Sequence, residues 1–293
     1  MSRHRTPLRY PGGKQRLAPF IEELLRENDA IGWNYVEPYA GGAGVAMELL
    51  LTDKVGKVYL NDSSPHIYAF WKAIVTDPET FCRRISRCSL NLETWRRQRE
   101  VFRDPTAYDV MDLGFSTFYM NRCNRSGVLN AGVIGGLKQE SEWKIDARFS
   151  RRELIHRIEA IAEYSSKIIV SNKDAEVFMA GKVSRLSPQT LVYCDPPYFE
   201  RAERLYLNHY KPEDHQRIAR VIQTTLKVPW LVSYDGHPTI CALYERRRMF
   251  KYSLQYSAIR SYAGSEVFVF SDQLHIPTTS RLSYVAAGLV NVA

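Results

Sequence analysis

Asp195-Pro196-Pro197-Tyr198 sets a carboxylate, two consecutive prolines and an aromatic ring directly after the apolar run Leu191-Val192-Tyr193-Cys194. Proline lacks an N–H and has a fixed φ, so the pair forms a rigid extended segment that cannot be drawn into a sheet. The Asp195 carboxylate and the free Pro196 carbonyl can then both accept hydrogen bonds from one planar amino group, while Tyr198 offers a flat face for a base to stack on. The exocyclic amine of adenine is a poor nucleophile because its lone pair is delocalised into the ring. Two fixed acceptors favour the transition state, in which that nitrogen gains positive charge. Methyl transfer from a sulfonium by this route needs no covalent enzyme intermediate and no metal. The plainer alternative is a loop in which Asp195 caps a helix and Tyr198 simply packs.

A second cluster has the character of a cofactor site. Glu37-Pro38-Tyr39-Ala40-Gly41-Gly42-Ala43-Gly44 is a glycine turn after a short apolar run, the kind of turn that lets backbone approach a ligand before a helix starts. Its spacing departs from G-x-G-x-x-G, which counts against a hydride-transferring dinucleotide enzyme. Asp62 lies about 20 residues beyond the turn, where an acidic side chain can accept from both ribose hydroxyls of a nucleoside cofactor. Asn61-Asp62-Ser63-Ser64-Pro65 equally suits a helix cap or turn.

These residues need a scaffold, and the apolar pattern predicts one. Strands are expected at Asn34 to Glu37, Lys57 to Asp62, Lys167 to Ser171 and Leu191 to Asp195, each ending in small or acidic residues. Helices are expected from Ala43 to Leu51, from Pro65 to Ile74 and from Pro212 to Leu226. Val228 to Ser233, Phe250 to Tyr256 and Glu266 to Ser271 complete the sheet. The alternation predicts a largely parallel sheet with helices on both faces, in which ligands sit beyond the carboxyl ends of the strands. Between about Asp77 and Glu163 the strand rhythm stops and charged helical segments surround a Gly/Asn/Arg-rich loop. Residues 1–76 and 165–293 therefore read as one α/β domain, and 77–164 as a mainly helical insertion.

The 293 residues, 45% of them hydrophobic, suffice for a full core, and the 40 Lys plus Arg against 32 Asp plus Glu give a net charge of +8. That balance favours a polyanionic partner. Seven arginines (83, 84, 87, 96, 97, 99 and 103) fall in the first third of the insertion, either as phosphate contacts or as a solvated helix face. The five cysteines are scattered with no C-x-x-C pair, which argues against a disulfide framework and a structural zinc. His66, His156, His209, His215, His237 and His275 lack metal-ligand spacing and read as surface, turn or DNA-proximal residues. The amino terminus lacks an apolar signal core, and no run of about 18 apolar residues occurs. A cytoplasmic protein off the membrane is expected, by default a monomer.

The chain resembles the Dam-type, alpha-class DNA adenine N6-methyltransferases from Thr6 to about Ser271. Pro7-Leu8-Arg9-Tyr10-Pro11-Gly12-Gly13-Lys14 is similar to the family's first cofactor motif, which implies that Tyr10 and Lys14 contact S-adenosyl-L-methionine. Tyr39-Ala40-Gly41-Gly42-Ala43 resembles its F-x-G-x-G motif, Asp62 its ribose-binding acid, and Asn172-Lys173-Asp174 the segment near the cofactor adenine. Asp195 to Tyr198 is the family's D-P-P-Y, with Asp195 implied to touch both substrate amine and cofactor. The resemblance thus implies Tyr10, Lys14, Glu37, Tyr39, Gly41, Asp62, Asp174 and Asp195 as the cofactor set, and a Rossmann-like methyltransferase sheet carrying a target-recognition domain.

Two departures stand out. Ala43 replaces a glycine, a change that a negative φ would accommodate. Asn121-Arg122-Cys123-Asn124-Arg125-Ser126-Gly127-Val128-Leu129-Asn130 is similar to the family's recognition loop, but Ser126 and Asn130 stand where members reading GATC carry Asn and Arg. Arginine is the usual bidentate reader of guanine and asparagine of adenine, so the target is not necessarily GATC. Arg122, Asn124, Arg125, Ser126 and Asn130 are the candidate contacts to double-stranded DNA, with capping and bracing of the loop as the alternative for Arg122, Asn124 and Arg125. A cognate restriction endonuclease acting separately is a compatible partner. Other readings are methylation of RNA adenine or of cytosine N4, and a catalytically silent DNA-binding protein.

Overall fold

The computed structural model describes residues 5–9, 14–199, 210–252, 266–278 and 282–284, with the backbone alone described at 252 and 282–284. Its strands are β1 (Asn34–Glu37), β2 (Lys57–Asn61), β3 (Ile168–Ser171), β4 (Thr190–Cys194), β5 (Trp230–Asp235), β6 (Arg248–Tyr252), β7 (Glu266–Phe270) and β8 (Leu282–Tyr284). They form one sheet in the order β3-β2-β1-β4-β5-β7-β6-β8. β1 to β5 pair in parallel, and β7 enters antiparallel between β5 and β6. The expected strands are present. The run from Ser253 to Tyr256 lies outside the described residues.

Strand order reverses between β1 and β4, which is where a doubly wound sheet opens a crevice at its carboxyl edge. The glycine turn follows β1 and the Asp195 tetrapeptide follows β4. The two candidate motifs are therefore neighbours because of topology, although some 150 residues separate them.

Alternate residues of each strand serve different layers. Tyr35, Leu191, Tyr193, Leu231, Phe268 and Phe270 join one core with helix α1 (Ala18–Glu27), helix α2 (Gly44–Leu51) and helix α3 (Pro65–Thr76). Val36, Val192, Cys194, Val232, Val267 and Val269 join the opposite core with helices α8 (Ala175–Gly181), α9 (Pro212–Thr225) and α10 (Pro238–Leu243). This alternation puts Glu37, Asp195, Ser233 and Glu266 on the α1 side, at the edge where that core ends.

The segment between α3 and β3, expected to be an insertion, contains α4 (Pro78–Arg87), α5 (Leu92–Arg103), α6 (Val110–Cys123) and α7 (Arg151–Ala162). Asp77, Asn91 and Asp109 cap the first three by accepting from Thr80, Thr94 and Asp112 N–H groups. The core is continuous with the α1 side of the sheet: Phe70 of α3 stacks on Phe118 of α6, with centroids 6.1 Å apart. Gly114 permits that approach, since a Cβ there would lie 2.6 Å from the Ala69 carbonyl oxygen. Among the described residues, no helix is long and apolar enough to cross a membrane.

Candidate active site

Lys14 enters the site through α1. Its short 3-10 turn leads into α1, whose Phe20 stacks on Phe268 of β7 at 5.5 Å with the rings nearly parallel. Glu266 lies two residues before Phe268 on the same face of β7. Anchoring Phe20 on Phe268 thus carries Lys14 over Glu266, and Lys14 Nζ lies 2.7 Å from Glu266 Oε1. The same ammonium is 3.6 Å from Asp195 Oδ1 and also donates to the Tyr198 hydroxyl. Tyr198 in turn donates to Glu266 Oε1 at 2.9 Å.

Asp195 is held from the opposite side by the next strand. Ser233 of β5 donates from Oγ to Asp195 Oδ1 at 2.7 Å, and the Tyr193 hydroxyl lies 2.8 Å from the same Oγ. Burial pushes the Asp195 carboxyl above the ordinary carboxylate range; Lys14 opposes this, Glu266 adds to it, and the bond from Ser233 opposes it. Both contacts fall on Oδ1, which orients the group. Downstream, Phe199 N–H donates to Asp235 at 3.1 Å and its ring stacks on His237 at 4.3 Å, so the tetrapeptide is gripped at both ends.

The loops at the carboxyl ends of β1 to β3 are tied together by two adjacent side chains. Asp62 Oδ2 accepts from Gly41 N–H and Oδ1 from Ser64 N–H, each at 2.9 Å. Asn61, fully buried, donates to the carbonyls of Pro38 and Lys173 and accepts from Lys173 N–H, clipping together the loops after β1, β2 and β3. Burial raises the Asp62 carboxyl to about 6 against the lowering effect of its two N–H donors. Glu37, 4% exposed, accepts from Ala46 N–H in the first turn of α2; burial, reinforced by the nearby Asp195 charge, raises it to about 8. Tyr39 pairs edge-on with Tyr210, their hydroxyls 3.0 Å apart. Asp174 caps α8, its Oδ1 accepting from Glu176 and Val177.

The turn departs from expectation at Ala43. Its φ is 42° and ψ 38°, in the left-handed region, at a cost of roughly 1 kcal/mol relative to glycine. The conformation persists because Ala43 N–H bonds the Ala40 carbonyl and Ala43 O accepts from Met47 N–H, closing the turn onto α2. The methyl is buried.

The loop after α6, which resembles the family's recognition loop, splits the residues expected to contact DNA. Arg122 and Asn124 do not face outward, which corrects that expectation for both. Arg122, at the end of α6, is buried and donates to the Pro7 carbonyl; burial, then Arg157 and Arg9, lower its guanidinium to about 9. Asn124 accepts from Trp95 Nε1 at 2.8 Å and donates to the Val128 and Leu129 carbonyls. Arg125, Ser126 and Asn130 are exposed, Ser126 at a φ of 55°. His66 and His215 are likewise interior: His66 bonds the Phe102 carbonyl and His215 the Tyr234 hydroxyl.

The segment 5–9 joins both halves. Asn121 brackets Arg9, accepting from its N–H and donating to its carbonyl, each at 2.7 Å, and Thr6 donates to the Gly42 carbonyl at 2.6 Å. This strap ties the insertion to the glycine turn just before Lys14. Tyr10 lies outside the described residues.

Asn61 and Asn121 sit inside the segments already singled out without a role of their own there, and Glu266 and Ser233 carry no motif. The only hint is a polar residue opening or interrupting an apolar strand, as in Glu266-Val267-Phe268-Val269-Phe270 and Trp230-Leu231-Val232-Ser233.

Among curated proteins no match to this chain is found. Two solved structures of the rRNA methyltransferase aviRa from Streptomyces viridochromogenes are 12% and 13% identical, cover 89% of this chain and 85% of their own, and have TM-scores of 0.37 and 0.38. So distant a likeness carries no argument about the site. A family model does match, that of the D12 class N6 adenine-specific DNA methyltransferases, over residues 10–259. That stretch holds Lys14, the glycine turn, Asp62, the recognition loop and the Asp195 tetrapeptide, and the chain belongs to that family.

Proposed function

We propose that this adenine-specific methyltransferase transfers the methyl group of S-adenosyl-L-methionine directly to N6 of an adenine flipped out of a specific duplex DNA sequence, not necessarily GATC. The observation that carries this reading is the orientation of Asp195: the Ser233 hydrogen bond and the Lys14 ion pair both fall on Oδ1, which leaves Oδ2 to accept from a substrate. An acceptor held in this way suits an incoming amino group.

The residues present fit the cofactor. S-Adenosylmethionine is cationic at its sulfonium and its ammonium, and two acids, Asp195 and Glu266, share the ammonium of Lys14, with the Glu37 carboxyl near enough to Asp195 to feel its charge. Asp62, at the carboxyl end of β2 and already bonded to the glycine turn, suits the ribose hydroxyls. Lys14, Glu37, Tyr39, Gly41, Asp62, Asp174 and Asp195 would hold it, together with Tyr10. When bound, the cofactor supplies an electrophilic methyl group.

The protein's part is acceptance and alignment. Asp195 and the Pro196 carbonyl accept the two N6 hydrogens, directing the lone pair at the methyl carbon and stabilising the charge that develops on nitrogen. Tyr198, its hydroxyl fixed by Glu266, gives the base a face to stack on. A base within a duplex cannot reach this crevice, so the adenine leaves the stack at a cost of roughly a few kcal/mol, part of which stacking returns. Arg125, Ser126 and Asn130 contact the DNA, and basic residues of the insertion contact phosphate.

The test is transfer from tritiated S-adenosylmethionine to unmethylated duplex DNA, followed by digestion to nucleosides. Label in N6-methyldeoxyadenosine is expected, and Asp195→Ala should abolish it while leaving the fold intact. Label confined to RNA or to cytosine, or full activity in the variant, would overturn the reading.

A further inference from the structure

Lys14 divides its charge unequally between two acids. Its Nζ is in close hydrogen-bonding contact with Glu266 Oε1 at 2.7 Å, whereas its ion pair with Asp195 Oδ1 is longer, at 3.6 Å. Glu266 belongs to β7, an element that the tetrapeptide and the glycine turn do not reach in sequence. It is 7% exposed, and it receives Tyr198 on the same oxygen that binds Lys14. Two donors from two different chain segments therefore converge on one buried carboxylate next to the catalytic one.

We propose that Glu266 is a positioning residue for methyl transfer: it draws the Lys14 ammonium to itself, so that Asp195 keeps a compensating charge in a looser, 3.6 Å ion pair and not in a short one. The inference rests on the role assigned to Asp195 above. A buried carboxylate with no nearby cation takes up a proton and ceases to be a good acceptor. A carboxylate in full contact with an ammonium is already engaged and accepts the amine less well. Glu266 sets the intermediate arrangement. By fixing the Tyr198 hydroxyl as well, it fixes the ring on which the base lies.

Removing the Glu266 charge changes both terms. Lys14 loses its nearer partner and closes on Asp195, and a like charge beside Asp195 disappears. Both changes favour the ionised form of Asp195 while weakening it as an acceptor. The other titratable groups around Asp195 are Glu37 and Tyr35 on β1, Tyr193 and Cys194 on β4, and Tyr198; Glu266→Gln alters none of their identities. The variant should therefore show a maximal rate lower by about 10- to 100-fold, the scale of a misplaced catalytic group. The acid limb of its pH-rate profile should move to lower pH.

The experiment is the pH dependence of single-turnover methylation of duplex DNA by wild type, Glu266→Gln and Glu266→Asp, alongside Asp195→Ala and a thermal melt of each. A lower plateau with a limb displaced toward acid in Glu266→Gln supports the proposal. A lower plateau with an unmoved limb means a merely structural role, and an unchanged plateau means no role; either overturns it. Should Glu266→Gln melt below the assay temperature, Glu266→Asp carries the test: its retained charge should leave the limb in place and cost less activity, and a displaced limb would overturn the proposal. Activity persisting in Asp195→Ala would instead remove the reading on which it rests.

Discussion

The Ser233 hydroxyl donates to Asp195 Oδ1 at 2.7 Å across the β4–β5 pair, and it is itself bonded by Tyr193. The aspartate is thus oriented by the strand beside it. Replacing Ser233 with alanine removes that restraint and leaves the Tyr193 hydroxyl buried without this partner. The expected result is a maximal methylation rate lower by about 10-fold or more, with stability reduced by about 1–3 kcal/mol. Cofactor affinity should change little. Initial rates and thermal melts measure all three, and an unchanged rate would show that Ser233 does not orient Asp195.

Glu37 makes the stability of the ligand-free protein depend on pH. Its folded-state value of about 8 lies above the ordinary 4.5, so folding favours the protonated acid. The stabilisation is complete below about 4.5 and is lost as pH rises through about 8. On this basis wild type should lose on the order of a few kcal/mol between pH 5 and pH 8.5. Asp62 acts in the same direction over a lower window, from its ordinary 3.8 to about 6. Glu37→Gln cannot ionise. It should match wild type near pH 5, melt higher at pH 8.5, and bind S-adenosylmethionine more weakly. Melting curves that run parallel across this range would show that Glu37 is not the titrating group.

How much of this was legible in the sequence follows from the range of each interaction. Strands and helices showed in the apolar pattern, because burial on two faces dictates composition locally. Asp62 and Asp195 stood at strand ends next to turn residues, and their position alone marked them as candidates. Glu266 and Ser233 acquired roles only through strand pairing and the seating of α1. The contact from Lys14 to Glu266 spans 252 residues of chain. Arg122 and Asn124 failed for a related reason. Their chemistry suits DNA, but the strap at 5–9 and Trp95 claim their polar groups from the inside.

Gly127 is the point at which that strap is most exposed to a test. Its φ is 75°, and a Cβ would lie 2.4 Å from the Arg9 carbonyl oxygen, a backbone atom that Asn121 already holds. Gly127→Ala therefore combines left-handed strain with a collision that no side-chain rotation relieves. The expected cost is about 2–4 kcal/mol. Because the strap leads into Lys14, the KM for S-adenosylmethionine should rise as well. Faster tryptic cleavage after Arg9 would report its release. A variant with wild-type melting and cleavage would mean that the strap is not docked there.

Arg122 and Arg125 stand three residues apart and should separate completely. Arg125 is exposed at the loop that carries Ser126 and Asn130, so it can meet a phosphate or a base without disturbing the fold. Arg125→Ala should leave the melt unchanged, weaken duplex binding, and reduce the slope of log affinity against log salt by about 1 if its contact is to phosphate. Arg122→Ala leaves the Pro7 carbonyl without its donor and opens space beside α6. It should lower stability by about 1–3 kcal/mol while the folded protein binds DNA as before. Fluorescence anisotropy over a salt series, paired with thermal melts, distinguishes the two. If Arg122→Ala weakened DNA binding at full stability while Arg125→Ala did not, the recognition surface would have to be drawn on the other side of α6.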